Sequence, residues 1–180
     1  MLPVVMSLYM LTFCRVVVGL VFAISSISKA RDIAQFKQAV SKFDLLPKRL
    51  SGLAALLFLC GEFAVVLLML IGGPLLLPGF FLAICLLLLF SLVLTSVVIR
   101  RIHTSCNCFG ASAKPVSSLD VGRNAGFILC ALGGCLTLLW AQDTRISLSL
   151  PEWLMTGVAA VVFVLIWLQL GEIVQLFRQG

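Results

Sequence analysis

Cys106 and Cys108 stand one residue apart in a short polar island, His103-Thr-Ser-Cys106-Asn-Cys108-Phe-Gly110, between two long apolar stretches. Two thiols at that spacing can exchange with a partner's disulfide or bind a soft metal. The glycine that follows frees the backbone to turn. Arg100, Arg101 and His103 lie close by, and nearby positive charge favours the thiolate, which is the reactive form. A disulfide across a single intervening residue closes a small, strained ring, which makes it a labile oxidant and a poor structural staple. Metal binding is the rival. His103, Cys106 and Cys108 supply three ligands where a closed zinc site needs four, and no second Cys or His cluster in this loop completes the set. The residues therefore favour a redox pair and no metal.

The other five of the seven cysteines, Cys14, Cys60, Cys85, Cys130 and Cys135, fall inside apolar runs. There a free Cys behaves as a small hydrophobe. Two charges also fall inside such runs: Arg15 in the first and Glu62 in the second. Counted from the connection the two runs share, both come out roughly 18–20 Å deep at the rise of an α-helix. Equal depth predicts that Arg15 and Glu62 form an intramembrane ion pair, since each charge alone is costly in lipid. Such a pair serves either to fix helix packing or as part of a proton or quinone site.

The elements that must carry these residues follow from composition. The chain is 62% hydrophobic and only 11% charged, against roughly 25% charged in a soluble domain. Its mean hydropathy is +1.19. Five stretches meet the requirement of about 20 apolar residues for a membrane span: about 5–28, 51–72, 78–99, 124–141 and 153–171. Little chain remains outside them, so residues 1–180 read as a single integral membrane domain, an all-α polytopic bundle. No Lys or Arg precedes the first apolar run, so that segment is expected to be retained as a span.

The first connection carries Lys29, Arg31, Lys37, Lys42, Lys48 and Arg49, and the third carries Arg100, Arg101, Lys114 and Arg123. The Gly72–Gly79 turn has no charge and the fourth connection has Arg145 as its only cation. The positive-inside rule then puts the first and third connections in the cytoplasm, the N-terminus outside and the C-terminus inside, in the inner or plasma membrane. That bias accounts for the net charge of +6. A nucleic-acid partner is excluded, because no soluble basic surface remains. The same topology puts the Cys106/Cys108 pair on the cytoplasmic side, where structural disulfides are rare, so the pair would be transiently oxidised. In the first connection, Ile33, Phe36, Val40 and Phe43 recur at helical spacing with Lys37 and Lys42 between them. This predicts an amphipathic helix at about 30–45, lying at the membrane interface and stopped by Pro47.

The chain resembles the MauE family, the methylamine-utilisation membrane proteins within the broader DoxX-like group. The resemblance rests on Cys14-Arg15-Val-Val-Val-Gly19-Leu-Val-Phe22 with Ser28-Lys29, then Phe36, Leu45-Leu46-Pro47 and Glu62. Its most specific part is Cys106-Asn-Cys108-Phe109-Gly110, followed by Arg123-Asn124. It implies a redox-associated role, helping disulfide formation or electron transfer while exported proteins such as methylamine dehydrogenase mature. Cys106 and Cys108 would then be the redox pair, with His103, Gly110, Arg123 and Asn124 in support. A thioredoxin-like protein is the expected partner and an exported protein the client. The residues specify no cofactor, and quinone is the one such a site could use, although a quinone-linked disulfide generator is disfavoured by the lack of Cys-x-x-Cys. The alternative is a non-enzymatic assembly factor or subunit that binds its partner through the amphipathic helix and loops. A transporter has only the Arg15–Glu62 pair as support.

Overall fold

The computed structural model describes residues 2–42, 48–100, 118–140 and 149–178. These form six α-helices: α1 (Leu2–Arg31), α2 (Ile33–Lys42), α3 (Lys48–Ile71), α4 (Leu76–Ile99), α5 (Ser118–Trp140) and α6 (Leu150–Arg178). All but α2 contain a stretch long and apolar enough to cross a membrane. In hydrocarbon only intrahelical bonding satisfies every backbone N–H and C=O of a lone segment, which is why such runs become helices. The chain is thus a multi-pass, all-α membrane protein.

Contacts fix the arrangement. Gly61 of α3 meets Leu86 of α4 and Gly79 meets Leu68, so α3 and α4 run antiparallel. Gly134 of α5 meets both Phe80 of α4 and Cys14 of α1. Phe13 of α1 lies edge-on to Phe163 of α6 with ring centroids 5.5 Å apart. Helix α1 is the hub, packed against α3, α5 and α6, while α4 closes the ring between α3 and α5. Its buried stripe, Cys14, Val17, Val18, Val21, Phe22, Ser25 and Lys29, follows the three-and-four spacing of one helix face. The outward faces are apolar too: Leu67 and Leu70 on α3, Phe81 and Leu92 on α4, and Met155 and Val158 on α6 are exposed. In a membrane those faces meet lipid.

The structure moves two expected boundaries. The amphipathic helix begins at Ile33, not near 30, because α1 continues to Arg31 and breaks only at Asp32. The Asp32 side chain then caps α2, accepting a bond from the Gln35 N–H at 2.9 Å. Phe36 and Val40 are partly covered, whereas Ile33 is 38% exposed. Phe43 and Pro47 lie outside the described residues. Helix α5 begins at Ser118, before the expected 124, so Arg123 and Asn124 belong to the bundle and not to its rim. Asp120 in its first turn suits the positive end of the helix dipole.

The tight connection from α3 to α4 depends on one residue. Gly72 adopts φ +75°, and its N–H closes α3 by donating to the Leu68 carbonyl at 3.1 Å. A Cβ there would also sit 2.6 Å from the Arg15 guanidinium. Gly72→Ala is therefore expected to destabilise the protein by about 1–3 kcal/mol from the positive-φ backbone alone, and further by displacing Arg15. Gly52→Ala, where an added Cβ meets nothing within 4 Å, should leave thermal unfolding in detergent unchanged or slightly raised.

Candidate functional site

Lys29 and Glu62 form a sealed ion pair. The Lys29 ammonium donates to Glu62 Oε1 at 2.5 Å, and each residue is only 3% exposed. Ser25, one turn before Lys29 on the same face of α1, joins them. Its hydroxyl donates to Glu62 Oε1 at 2.9 Å and accepts from Lys29 at 3.0 Å. Three aromatic rings surround the ammonium: Phe58 at 4.7 Å, Phe36 at 5.2 Å and Phe90 at 5.4 Å to the centroids. They come from α3, α2 and α4, so three elements near this end of α1 contribute to holding one cation. At these distances the ring faces attract the charge. The second carboxylate oxygen, Oε2, has no hydrogen-bond partner among the described residues.

Asn124 lies across a small cavity from this cluster. Its amide donates to the Leu87 carbonyl at 2.9 Å and to the Ser91 hydroxyl at 2.6 Å, tying α5 to α4. It is 2% exposed, and its Oδ1 also lacks a partner among the described residues. The adjacent Arg123, about 100° round α5, faces α6. It donates to the Leu168 carbonyl of α6 at 3.2 Å and pairs with Asp120 at 3.1 Å, while the Trp167 indole donates back to its carbonyl at 3.1 Å. Consecutive residues thus lock α5 to two different helices.

Arg15 does not pair with Glu62, as equal depth had suggested. It reaches the far end of α3, donating to the Met69 carbonyl at 2.7 Å and the Leu70 carbonyl at 3.0 Å. Those carbonyls end a helix and lack intrahelical donors, and the negative end of the dipole attracts the cation. The sequence count failed because α1 and α3 do not start level. Ser25 faces Glu62 and Gly19 faces Met69, so α3 overhangs α1 by roughly two turns, and α2 packs along the overhang. The true partner, Lys29, reads in the sequence as one of the cations of the connection. The signal that would have found it is the stripe Val18, Phe22, Ser25, Lys29, which extends the buried face of α1 by a further turn.

Among the described cysteines none is bonded: Cys14 is buried, Cys60 is exposed, and Cys85, Cys130 and Cys135 are intermediate. Cys14 and Cys130 are neighbours, thiol to thiol, across α1 and α5. Cys106, Cys108, His103 and Gly110 lie outside the described residues. Their segment joins Arg100, after α4, to Ser118, at the start of α5. Both helix ends lie at the end of the bundle where α1 stops beside Lys29.

Five apolar helices around a buried charge pair and an amide clamp define a polytopic membrane protein with a polar core set toward one end. The chain belongs to the MauE family: the family model described as methylamine utilisation protein MauE matches residues 7–141. The methylamine utilization protein MauE of Paracoccus denitrificans is 33% identical over 156 residues, covering 86% of this chain and 81% of that one. No solved structure matches. The family match spans α1 to α5 and so contains Ser25, Lys29, Glu62 and Asn124, as well as the Cys106–Cys108 segment.

Removing one member of the pair strands the other charge in the bundle. Lys29→Met and Glu62→Leu are each expected to cost about 3–5 kcal/mol, while the double variant recovers much of that. Thermal unfolding of the four proteins in one detergent checks it, and strictly additive losses would refute the pairing.

Proposed function

We propose that this membrane protein takes part in thiol–disulfide exchange during the maturation of exported proteins, with Cys106 and Cys108 as the exchanging pair. The observation that carries the reading is the Cys106-Asn-Cys108-Phe-Gly110 motif in a chain of the MauE family. The relative's name, a methylamine utilization protein, supports a client in amine oxidation, with methylamine dehydrogenase as the example. The partner is a thioredoxin-like dithiol protein. In the exchange, a thiolate of one protein bonds to a sulfur of the other's disulfide, and the S–S electron pair leaves on the second sulfur. The remaining thiol of the attacking pair then resolves the mixed disulfide. Two electrons and two protons pass in total, in a direction set by the two potentials.

The host membrane is the plasma membrane. The charge bias, even without Lys29, puts the connections bearing Arg31, Lys37, Lys48 and Arg100 in the cytoplasm, with the N-terminus outside. Side-specific thiol labelling of Cys106 and Cys108 in intact and opened cells tests orientation and redox state together.

Single Ser replacements at Cys106 or Cys108 are expected to abolish client maturation while membrane levels of the protein hold. Ser at Cys60 or Cys85 should change neither. Normal client maturation in a Cys106→Ser, Cys108→Ser double variant would defeat the redox reading and leave an assembly factor that binds its partner through α2 and the loops.

A further inference from the structure

The cavity between Lys29, Glu62 and Asn124 measures about 20 Å³, with Ser25 on its polar wall and Phe22 and Phe90 on its apolar one. Glu62 and Asn124 both line it, and one oxygen of each, Glu62 Oε2 and Asn124 Oδ1, has no donor among the described residues. Both are acceptors on residues 97% or more enclosed, Glu62 being 3% and Asn124 2% exposed. A buried acceptor without a donor is costly, and two on side chains that line one cavity point to a shared occupant.

The chemistry of that occupant is narrowly defined. It must donate two hydrogen bonds, since both atoms only accept once Asn124 has committed its amide to Leu87 and Ser91. It must be neutral: Lys29 repels a cation, Glu62 repels an anion, and the pair already balances. It must be about the size of a single non-hydrogen atom, because a cavity needs roughly 10–15 Å³ for one water and this one offers little more. Lys29 has three N–H donors, of which Ser25 and Glu62 take two. The third is available to the cavity or to the rings around it.

We propose that this cavity is a binding site for one water molecule, held between Glu62 Oε2 and Asn124 Oδ1. The water donates to both oxygens. It thereby turns two separate polar clusters into one hydrogen-bonded chain, from Lys29 and Ser25 on α1 through Glu62 on α3 to Asn124 on α5 and Ser91 on α4. Four helices share the chain, and among the described residues the water joins the ion pair to the amide clamp. The proposal does not depend on the redox reading.

Solid-state NMR of the carbon-labelled full chain in deuterated lipid bilayers tests it, by following magnetisation from the water proton resonance into the protein at short mixing times. Transfer to the Glu62 carboxyl carbon and the Asn124 amide carbon is expected to be several-fold faster than to Cys14 Cβ, which is buried among apolar groups. Asn124→Leu removes one acceptor and fills the space, and should drop transfer at Glu62 to the Cys14 level. Transfer in the wild-type protein no faster at either carbon than at Cys14 would overturn the proposal. So would undiminished transfer at Glu62 in Asn124→Leu, which would mean that solvent reaches the carboxylate by another route. If Asn124→Leu fails to insert, Asn124→Asp takes its place, and transfer at the wild-type Asn124 amide carbon no faster than at Cys14 overturns the proposal by itself.

Discussion

An ammonium and a carboxylate placed separately inside a membrane-spanning bundle would each be strongly unfavourable, and Lys29 and Glu62 are tolerated only together. That requirement fixes the register of α1 against α3. Leu, Val and Ile faces slide past one another at little cost, because lipid is as good a solvent for them as another helix. A charge pair with a serine between its members does not slide. The cation is held from three more sides by rings on α2, α3 and α4, so a shift of any of these elements exposes it to lipid without compensation.

The same logic recurs along the bundle. Arg15 ends α3 by binding its last carbonyls, Asn124 holds α4 through Leu87 and Ser91, and Arg123 holds α6 through Leu168. Each contact joins a side chain on one helix to a specific turn of another, and together they specify which turns face each other. Small residues let the helices approach closely enough for this: Gly134 leaves room for Phe80 against Cys14. Packing supplies the area of contact, and the polar side chains supply the alignment.

The spans were legible in the sequence because hydropathy over about 20 residues is a strong signal and nothing in a lipid-facing helix masks it. The partner of Glu62 was not, because depth counted from a connection assumes that both helices start at the same level. The connection contains α2, a helix with its own packing surface, and it lets α3 overhang α1. Lys29 was misplaced for a related reason. A cation three residues before an Asp reads as the rim of a loop, yet here helix geometry carries it round onto the buried stripe. Arg123 and Asn124 were singled out only by resemblance, and their division of labour between α6 and α4 follows from being neighbours on a helix, about 100° apart.

The polar core also bears on the segment that carries Cys106 and Cys108. That segment leaves from α4 and enters α5, the two helices that Asn124 clamps together through Ser91 and Leu87. Ser91 lies about two turns before the end of α4, and Asn124 about two turns after the start of α5. The clamp therefore sits close beneath both attachment points and resists their moving apart or sliding in opposite senses. Exchange chemistry works best when the reacting groups are mounted on rigid elements. On the proposed reading Asn124 is a positioning residue, acting through the helices that hold the thiols without touching a sulfur. Through the cavity it shares with Glu62, the alignment of those two attachment points is tied to the ion pair that sets the register of α1 and α3.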